Sequence, residues 1–355
     1  MAITHLAPTT HVIPLTMVRR ERRMPAPGTI LRRAGERISA IDVLAEAEPG
    51  PRHFFIDIAR GLGVPEREVP KHLVHERGVR IEAGEVIAGP VGISRRTLRA
   101  PANGRIVGIV GSRVLFEVSG GKYELRSGFP GAVTATDGSQ SVTIETSGAL
   151  IQAAWGNGQH DFGVMRMLAA SPGDRLLPEQ MDLDLRGAIV IGGICEASAP
   201  LHQAKELSLR GLILGSMPAD LVPVALRLPF PILLTEGFGR LPISPPAYRL
   251  LSANAGREAA VDARLPTPYD VLRPEVIIPL PATQDLDLPE ETFVLSPGMQ
   301  VRVLRAPFHG AVGTIREVLS QAVAFPSGVL ARSATVDLEG IGTATVPLAN
   351  LEILQ

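Results

Sequence analysis

The sequence has 355 residues, a length sufficient for two or three domains. Apolar residues make up 45% and charged residues 20%, a balance typical of a globular protein. The formal net charge of −1 argues against a strongly cationic nucleic-acid binder, although a local basic surface is compatible with that total. Cys195 is the only cysteine, which excludes an intrachain disulfide and a cysteine-based metal site.

Residues 1–15 lack a basic segment followed by an apolar run, and the apolar stretches are far shorter than the ~20 residues that span a bilayer. We therefore expect a cytoplasmic protein with no membrane contact. The 36 glycines and 31 prolines separate short segments rich in Val, Ile, Leu and Thr. This pattern predicts short strands joined by turns, and the predicted fold class is mainly β and multi-domain (α+β).

Residues 1–25 are predicted to form an N-terminal arm or an edge strand. They carry a basic cluster made of Arg19, Arg20, Arg22 and Arg23. Such a cluster indicates either a solvated segment or an arm that binds phosphate.

Residues 26–180 are predicted to form a β-rich domain that contains a weak internal repeat. Residues 35–45 and 78–88 both read Gly, two residues, Ile, three residues, an acid, Val, an aliphatic residue and Ala. Each copy predicts a tight turn, a short strand, a second turn and a buried strand. Between the copies, residues 54–59 and 65–74 are predicted as two short helices.

After the second copy, the chain continues with Ala100-Pro101, Gly104 and Ile106. The order of residues 35–110 resembles the half-motifs of barrel-sandwich hybrid domains, the group that includes biotinyl and lipoyl carriers. The resemblance implies the fold. Carriers of that group present a modified lysine at a hairpin tip, usually beside methionine, and none of the three lysines has that setting. We therefore expect no covalently attached biotin or lipoate, and no other cofactor.

The only tryptophan, Trp155, lies in a glycine-flanked polar turn together with Asn157 and His160. A large ring at such a turn either covers the core or, with Asn157 and His160, belongs to a ligand or partner surface.

Residues 181–261 are predicted to form a small α/β domain. Strands are predicted at 187–193, 212–215 and 229–234, with a helix at 201–210 that Gly211 ends. The pattern resembles domains of the swivelling or protease-associated type. Residues 262–292 contain six prolines in a polar, acidic background and are predicted to form a semi-extended linker.

Residues 293–355 carry the most specific motif of the chain. Gly298, Val301, Arg302 and Val303 precede the run Pro307-Phe308-His309-Gly310-Ala311-Val312-Gly313-Thr314-Ile315. This order resembles the KOW motif of NusG-type transcription elongation factors and certain ribosomal proteins. The resemblance implies an SH3-like barrel, with later strands at 334–338, 344–348 and 351–354.

The resemblance also implies a contact surface for RNA or for a partner protein. Its residues in this chain are Arg302, Arg305, Phe308, His309 and Arg316. Acidic residues of the same segment offset these arginines, whereas a surface that binds a duplex normally carries a clear basic excess. A protein contact and a purely structural barrel therefore stand beside the RNA interpretation.

Catalytic chemistry has only weak candidates, which are Cys195, His202 and Glu236. A thiol at a helix start beside an imidazole can be activated, and a buried cysteine near a strand end can equally be a packing residue. Glu236, in a glycine-flanked turn, is either a general base or a cap of backbone donors. The eight histidines do not pair at metal-ligand spacing, so no metal site is expected.

The leading hypothesis is a non-catalytic scaffold or adaptor that docks on a larger cytoplasmic assembly through its C-terminal barrel, with a protein as partner. One alternative is a factor associated with RNA, the ribosome or transcription. Another is an enzyme whose site lies between the α/β layer and the Trp155 turn, lined by Trp155, His160, Cys195 and Glu236.

Overall fold

A computed structural model describes residues 6–93, 95–118, 120–265 and 272–355. The chain is mainly β, as its composition predicts. Residues 1–5 of the expected N-terminal arm and residues 266–271 of the expected linker lie outside the described residues. Within the described ranges, no helix combines the length and the apolar character that crossing a membrane requires.

The N-terminal half forms short strands and two short helices, in agreement with its many turn signals. In chain order, its elements are β1 (Leu6–Ala7), β2 (Thr9–Thr10), β3 (Val12–Arg23), β4 (Thr29–Ile30), β5 (Arg37–Ile38), β6 (Val43–Ala47), β7 (Arg52–Asp57), α1 (Ile58–Leu62), α2 (Val69–His72), β8 (Arg80–Ile81), β9 (Val86–Val91), β10 (Arg96–Arg99), β11 (Gly104–Val110), β12 (Arg113–Val118), β13 (Tyr123–Arg126), β14 (Gly131–Thr136), β15 (Ser141–Gln152), β16 (Trp155–Gly156) and β17 (His160–Met167).

Residues 52–118 form a separate lobe between β6 and β13. These two strands pair antiparallel, so the chain leaves and re-enters the main body at neighbouring points. The lobe has a four-stranded sheet in the order β7-β12-β11-β8 and the β9-β10 hairpin. It buries its own core, in which Ile58, Ile87, Ile106 and Phe116 have no exposed surface. The lobe therefore has its own source of stability.

The prediction of a helix at 54–59 is wrong for most of its length. Residues 52–57 are β7, and α1 begins only at Ile58, with Asp57 accepting a hydrogen bond from the amide of Arg60. Phe54 and Ile56 turn towards the core of the lobe, where Phe54 contacts the ring of Phe116. The period of two between these apolar residues is that of a strand.

The internal repeat corresponds to two copies of one structural unit. Ile38 pairs with Gly131, and Ile81 pairs with Gly104, at equivalent positions. In each copy the acid of the repeat accepts a bond from the backbone amide three residues earlier, Asp42 from Ser39 and Glu85 from Glu82. The repeated acid therefore holds the second turn of each copy.

The middle of the chain forms parallel strands with helices between them. Its elements are β18 (Ile189–Ile191), α3 (Ser198–Glu206), β19 (Gly211–Met217), α4 (Val222–Ala225), β20 (Ile232–Phe238), α5 (Pro245–Ala253), β21 (Glu258–Asp262) and β22 (Glu275–Pro279). Strands β17, β18, β19 and β20 are parallel, in that order. Helices α3 and α4 pack with alternate residues such as Val190 and Leu212, and α5 packs with Ile189 and Ile213. The sheet is thus covered on both faces.

One sheet crosses the domain boundaries expected at 180 and 262. Strand β15 pairs with β3 along one edge and with β14 and then β22 along the other. Strand β22, inside the span expected to be a linker, is buried and pairs with both β15 and β21. Its apolar run Val276-Ile277-Ile278 lies between Pro274 and Pro279, and prolines at the ends of a strand leave the ladder in between intact.

The C-terminal segment forms a six-stranded sheet. Its elements are β23 (Phe293–Val294), β24 (Gln300–Val303), β25 (Val312–Val318), β26 (Val323–Ala324), β27 (Leu330–Ala331), β28 (Ser333–Leu338), β29 (Gly342–Pro347) and β30 (Leu351–Leu354). The order is β2-β30-β24-β25-β28-β29, so the N-terminal β2 is one of its strands. Strands β28, β29 and β30 occupy the predicted positions.

The lobe core yields the first testable prediction. Because Phe116 is fully buried there, we expect Phe116→Ala to lower the stability of the lobe by about 3–5 kcal/mol. Hydrogen exchange should show lost protection confined to residues 52–118. The exposed Val110→Ala is the control and should change protection little. Equal loss of protection in β15 and β19 after Phe116→Ala would contradict an independent lobe core.

Candidate functional site

Arg302, expected at a contact surface, is buried between two carboxylates. Its guanidinium donates to the carboxylates of Glu236 and Glu352, and the side chains of all three residues are at most 7% exposed. Its Nη1 also lies 3.4 Å from the carbonyl oxygen of Thr235. Arg302 belongs to β24, Glu352 to the neighbouring β30, and Glu236 to β20 of the α/β sheet. The ion pairs therefore join the C-terminal sheet to the α/β sheet.

Arg273, Thr10 and the backbone of Ser244 add further hydrogen bonds to these carboxylates. Arg273 donates through Nη1 to Oε1 of Glu352 over 2.7 Å, and the hydroxyl of Thr10 donates to the same oxygen over 2.6 Å. The amide of Ser244 donates to Oε1 of Glu236 over 2.9 Å. We call Thr10, Glu236, Arg273, Arg302 and Glu352 the junction network. Its two arginines balance its two glutamates.

Electrostatics hold the network in its charged form. Burial opposes ionisation of Glu352, but Arg302, the Thr10 hydroxyl and Arg273 outweigh it, so the pKa of Glu352 lies below its ordinary value. Burial likewise opposes the charge on Arg302, and the attraction of Glu236 and Glu352 more than compensates, so the pKa of Arg302 is raised. Each charge is retained because the opposite charges are in contact with it.

The N-terminal basic cluster is used within the chain. Arg20 pairs with Glu275 of β22, and Arg22 pairs with Asp262 of β21 over 3.1 Å. Arg22 also lies over the ring of Phe129, 5.4 Å from its centroid. These contacts attach β3 to the main sheet and occupy the guanidinium groups of Arg20 and Arg22. Arg19, which pairs with Glu145, and Arg23, which donates to Gln140, are exposed.

A polar cleft of about 890 Å³ lies beside the junction network. Its lining includes Thr9, His11, Arg20, Gln152 and Arg273. Burial lowers the pKa of His11, whose neutral imidazole donates from Nε2 to the carbonyl of Glu290 over 2.9 Å. Arg19 also lines the cleft, and each of its three arginines pairs with a carboxylate of the chain. The cleft therefore offers polar contacts with little free positive charge.

Trp155 lies within the core on the α3 side of the sheet and is 8% exposed. Its ring meets that of Phe238 with centroids 5.5 Å apart. Asn157 is also buried, where it donates to the carbonyls of Ala225 and Phe230 and accepts from the amide of Ile232. His160 is exposed at the start of β17. This arrangement agrees with a ring and an amide that close the core.

The catalytic candidates face different surroundings. Cys195 is fully buried, donates to the carbonyl of Ala197 over 3.2 Å, and burial raises the pKa of its thiol to about 11. His202 is exposed on α3, and the carboxylate of Glu236 is engaged by Arg302 and the amide of Ser244. A thiol with so high a pKa is almost entirely protonated at neutral pH, which makes it a poor nucleophile.

The remaining residues expected at the contact surface lie at two places. Arg305 and His309 are exposed in the loop between β24 and β25, and Phe308 packs against the C-terminal core. In the same loop, Gly310 lies against Leu241, which is in the loop between β20 and α5. Arg316 is exposed on β25 and pairs with Asp337 over 3.0 Å. Arg302 is thus buried in the junction network, whereas Arg305, Phe308 and His309 lie in the β24–β25 loop and Arg316 lies on β25.

An exposed apolar hairpin in the C-terminal segment was missed from the sequence. Strands β26 and β27 pair only with each other, through Val323 with Ala331 and Ala324 with Leu330. Val329 and Leu330 are 57% and 68% exposed. The turn signal Pro326-Ser327-Gly328 between two apolar triplets marks this hairpin in the sequence.

The chain matches no protein-family model, and no curated protein is significantly similar to it. Among the residues that the structure describes, no group of three or more His, Cys, Asp or Glu side chains is arranged to hold a metal ion.

The junction network predicts a large effect for a single substitution. Arg302→Met leaves Glu236 and Glu352 buried without their shared cation, and we expect a loss of about 3–5 kcal/mol in the free energy of unfolding. Urea denaturation measures it. The exposed Arg305→Met is the matched control and should stay within about 0.5 kcal/mol. A variant that also replaces Glu236 and Glu352 by Leu should regain part of the loss; no difference between Arg302→Met and Arg305→Met would contradict the network.

Acid should weaken the junction. Because the folded-state pKa of Glu352 is lower than the unfolded one, its stabilising contribution is present above the unfolded value, about 4.3, and is lost as the pH falls through the folded value. We expect the free energy of unfolding to decline below about pH 5 and Glu352→Gln to flatten that decline by up to about 1.4 kcal/mol per pH unit. The exposed Glu339→Gln should leave the slope unchanged. An unaltered slope in Glu352→Gln would show that the carboxylate is not held charged by its partners.

Proposed function

We propose that the protein is a scaffold or adaptor that docks on a partner protein through its C-terminal unit, residues 293–355. The observation that carries this proposal is the β26-β27 hairpin. Val329 and Leu330 are exposed, and none of the apolar residues of the hairpin belongs to the buried core of the unit. An isolated two-stranded hairpin is marginally stable in water, so an exposed apolar hairpin favours a role in contact with another surface.

We also propose that this unit is an SH3-like barrel of the KOW type. The strand pairing supports it, because β24, β25, β28, β29 and β30 form one antiparallel sheet whose apolar core includes Val301, Ile315 and Val336. The KOW-type loop is partly occupied within the chain by the contact of Gly310 with Leu241. This contact favours the hairpin over the loop as the docking element.

The settings of the three lysines are consistent with a structural role for the barrel-sandwich-like repeat. Lys71 lies in α2, Lys122 pairs with Glu46 over 2.8 Å, and Lys205 lies in α3. These settings differ from the hairpin-tip lysine of a carrier.

Capture of partners from native lysate tests the proposal. The tagged chain should retain a protein partner, and the double variant Val329→Asp, Leu330→Asp should lose it by at least tenfold, since two charges cannot enter an apolar contact without a large desolvation cost. Circular dichroism should be unchanged, because both positions are exposed.

The control variant is Arg305→Glu, in the loop at the opposite end of β25. It should retain the protein partner. Salt-sensitive RNA retained by the unaltered chain and lost in Arg305→Glu would replace the adaptor by the RNA-associated alternative. A monodisperse chain that retains neither protein nor RNA would contradict both.

A further inference from the structure

Strand β7 is an unprotected edge of the lobe sheet. It is the outermost strand in the order β7-β12-β11-β8, and its register with β12 is regular over all 6 residues. The opposite edge, β8, has only 2 residues. Proteins usually guard long edges with bulges, prolines or charges that point inwards, because such edges pair with other chains. Instead β7 exposes Phe55, at 56%, and Phe54, at 36%.

The hydrogen bonds of β7 define which backbone groups are free. The amide of Ile58 donates to the carbonyl of Ser112, and these residues are opposite each other in the register of β7 with β12. In an antiparallel pair such bonds recur at every second residue, so the backbones of Phe54 and Ile56 also point to β12. The amides and carbonyls of residues 53, 55 and 57 therefore point away from the sheet.

We propose that β7 pairs antiparallel with β7 of a second copy of this chain, about a two-fold axis at Phe55. A two-fold axis perpendicular to a sheet places a residue opposite its own copy, and an axis at Phe55 makes Phe55 and its copy a hydrogen-bonded pair because the backbone groups of residues 53, 55 and 57 point away from β12. With Phe55 on the axis, His53 lies opposite Asp57 of the second copy, and Phe54 lies opposite Ile56. The two sheets then form one continuous sheet of eight strands.

The side chains of this register are complementary. Phe55 meets its own copy on one face, and Phe54 meets Ile56 on the other, both favourable cross-strand pairs. His53, whose Nε2 contacts Glu117 over 3.1 Å, lies opposite Asp57, whose carboxylate accepts from the amide of Arg60, so each end of the register places an imidazole opposite a carboxylate. A register centred on His53 or Asp57 places two imidazoles or two carboxylates opposite each other on the axis. A register centred on Phe54 or Ile56 places Phe55 opposite His53 or Asp57, so the Phe55 pair is lost.

The strength of the contact should be modest. A single strand pair buries less than a standard interface, which is about 1,600 Å², so we expect association that depends on concentration. Over residues 52–118, 11 Lys and Arg outnumber 7 Asp and Glu, which opposes association of two lobes. At 0.15 M salt this repulsion is screened beyond about 8 Å, whereas the strand contacts act at shorter range.

A cysteine at the axis tests the proposal in the full chain. Opposing residues in a hydrogen-bonded pair have Cα atoms about 5.5 Å apart, within the range of a disulfide. We expect Phe55→Cys to form a disulfide-linked dimer under mild oxidation at least tenfold faster than His53→Cys. His53 lies on the same strand with a free backbone, but its copy is offset by roughly 13 Å along the strand. The native Cys195 should stay unreactive, since burial raises its pKa to about 11.

Sedimentation gives a second measurement. The unaltered chain should show reversible dimers, and Phe55→Lys should be monomeric at the same concentrations with an unchanged circular dichroism spectrum. Equal cross-linking rates for Phe55→Cys and His53→Cys, or faster cross-linking of His53→Cys, would overturn the register. A chain that stays monomeric at high concentration would overturn the proposal, including the case in which β7 instead binds an extended peptide of another protein. The β26-β27 hairpin plays no part in either result.

Discussion

The burial of Arg302 is the constraint on which the arrangement of the protein depends. A guanidinium removed from water must be neutralised by nearby carboxylates, or its desolvation costs several kcal/mol. The two carboxylates that do this are distant in sequence, 66 residues before Arg302 and 50 residues after it. The network is satisfied only when the α/β sheet and the C-terminal sheet meet in one relative position. The charged residues that make separation of the two sheets costly in free energy therefore also fix the relative position of the sheets.

The N-terminal strands reinforce this position. Strand β3 runs along the whole of β15, and β2, directly before it, belongs to the C-terminal sheet. Thr10 of β2 donates to Glu352, and Arg20 of β3 pairs with Glu275 of β22. One stretch of chain thus joins both sheets, and polar contacts fasten it at each. The C-terminal unit is consequently attached through its own sheet as well as through the segment that precedes it.

Local features of the sequence predicted local structure well. Short runs of alternating aliphatic residues located β28, β29 and β30, and the repeat at 35–45 and 78–88 located two equivalent turns. Features that depend on distant partners were not predictable. The pattern Val301-Arg302-Val303 indicates a strand, but nothing near it in the sequence shows that Glu236 and Glu352 will meet Arg302. Strand β22 was not predictable for the same reason. Its flanking prolines are typical of a linker, and its partners β15 and β21 are not apparent from the sequence near it.

The exposed apolar residues lie outside cores that are already filled by other side chains. The lobe already buries Ile58, Ile106 and Phe116 completely, and the C-terminal sheet already encloses its own cluster. Phe55 and Leu330 therefore remain outside although each unit is filled, and burying them requires another molecule. Phe55 lies on an edge strand that pairs only with β12, and Leu330 lies on a hairpin whose two strands pair only with each other. Strand β7 belongs to the lobe and the β26-β27 hairpin to the C-terminal unit, so the two exposed apolar surfaces lie on units with separate buried cores.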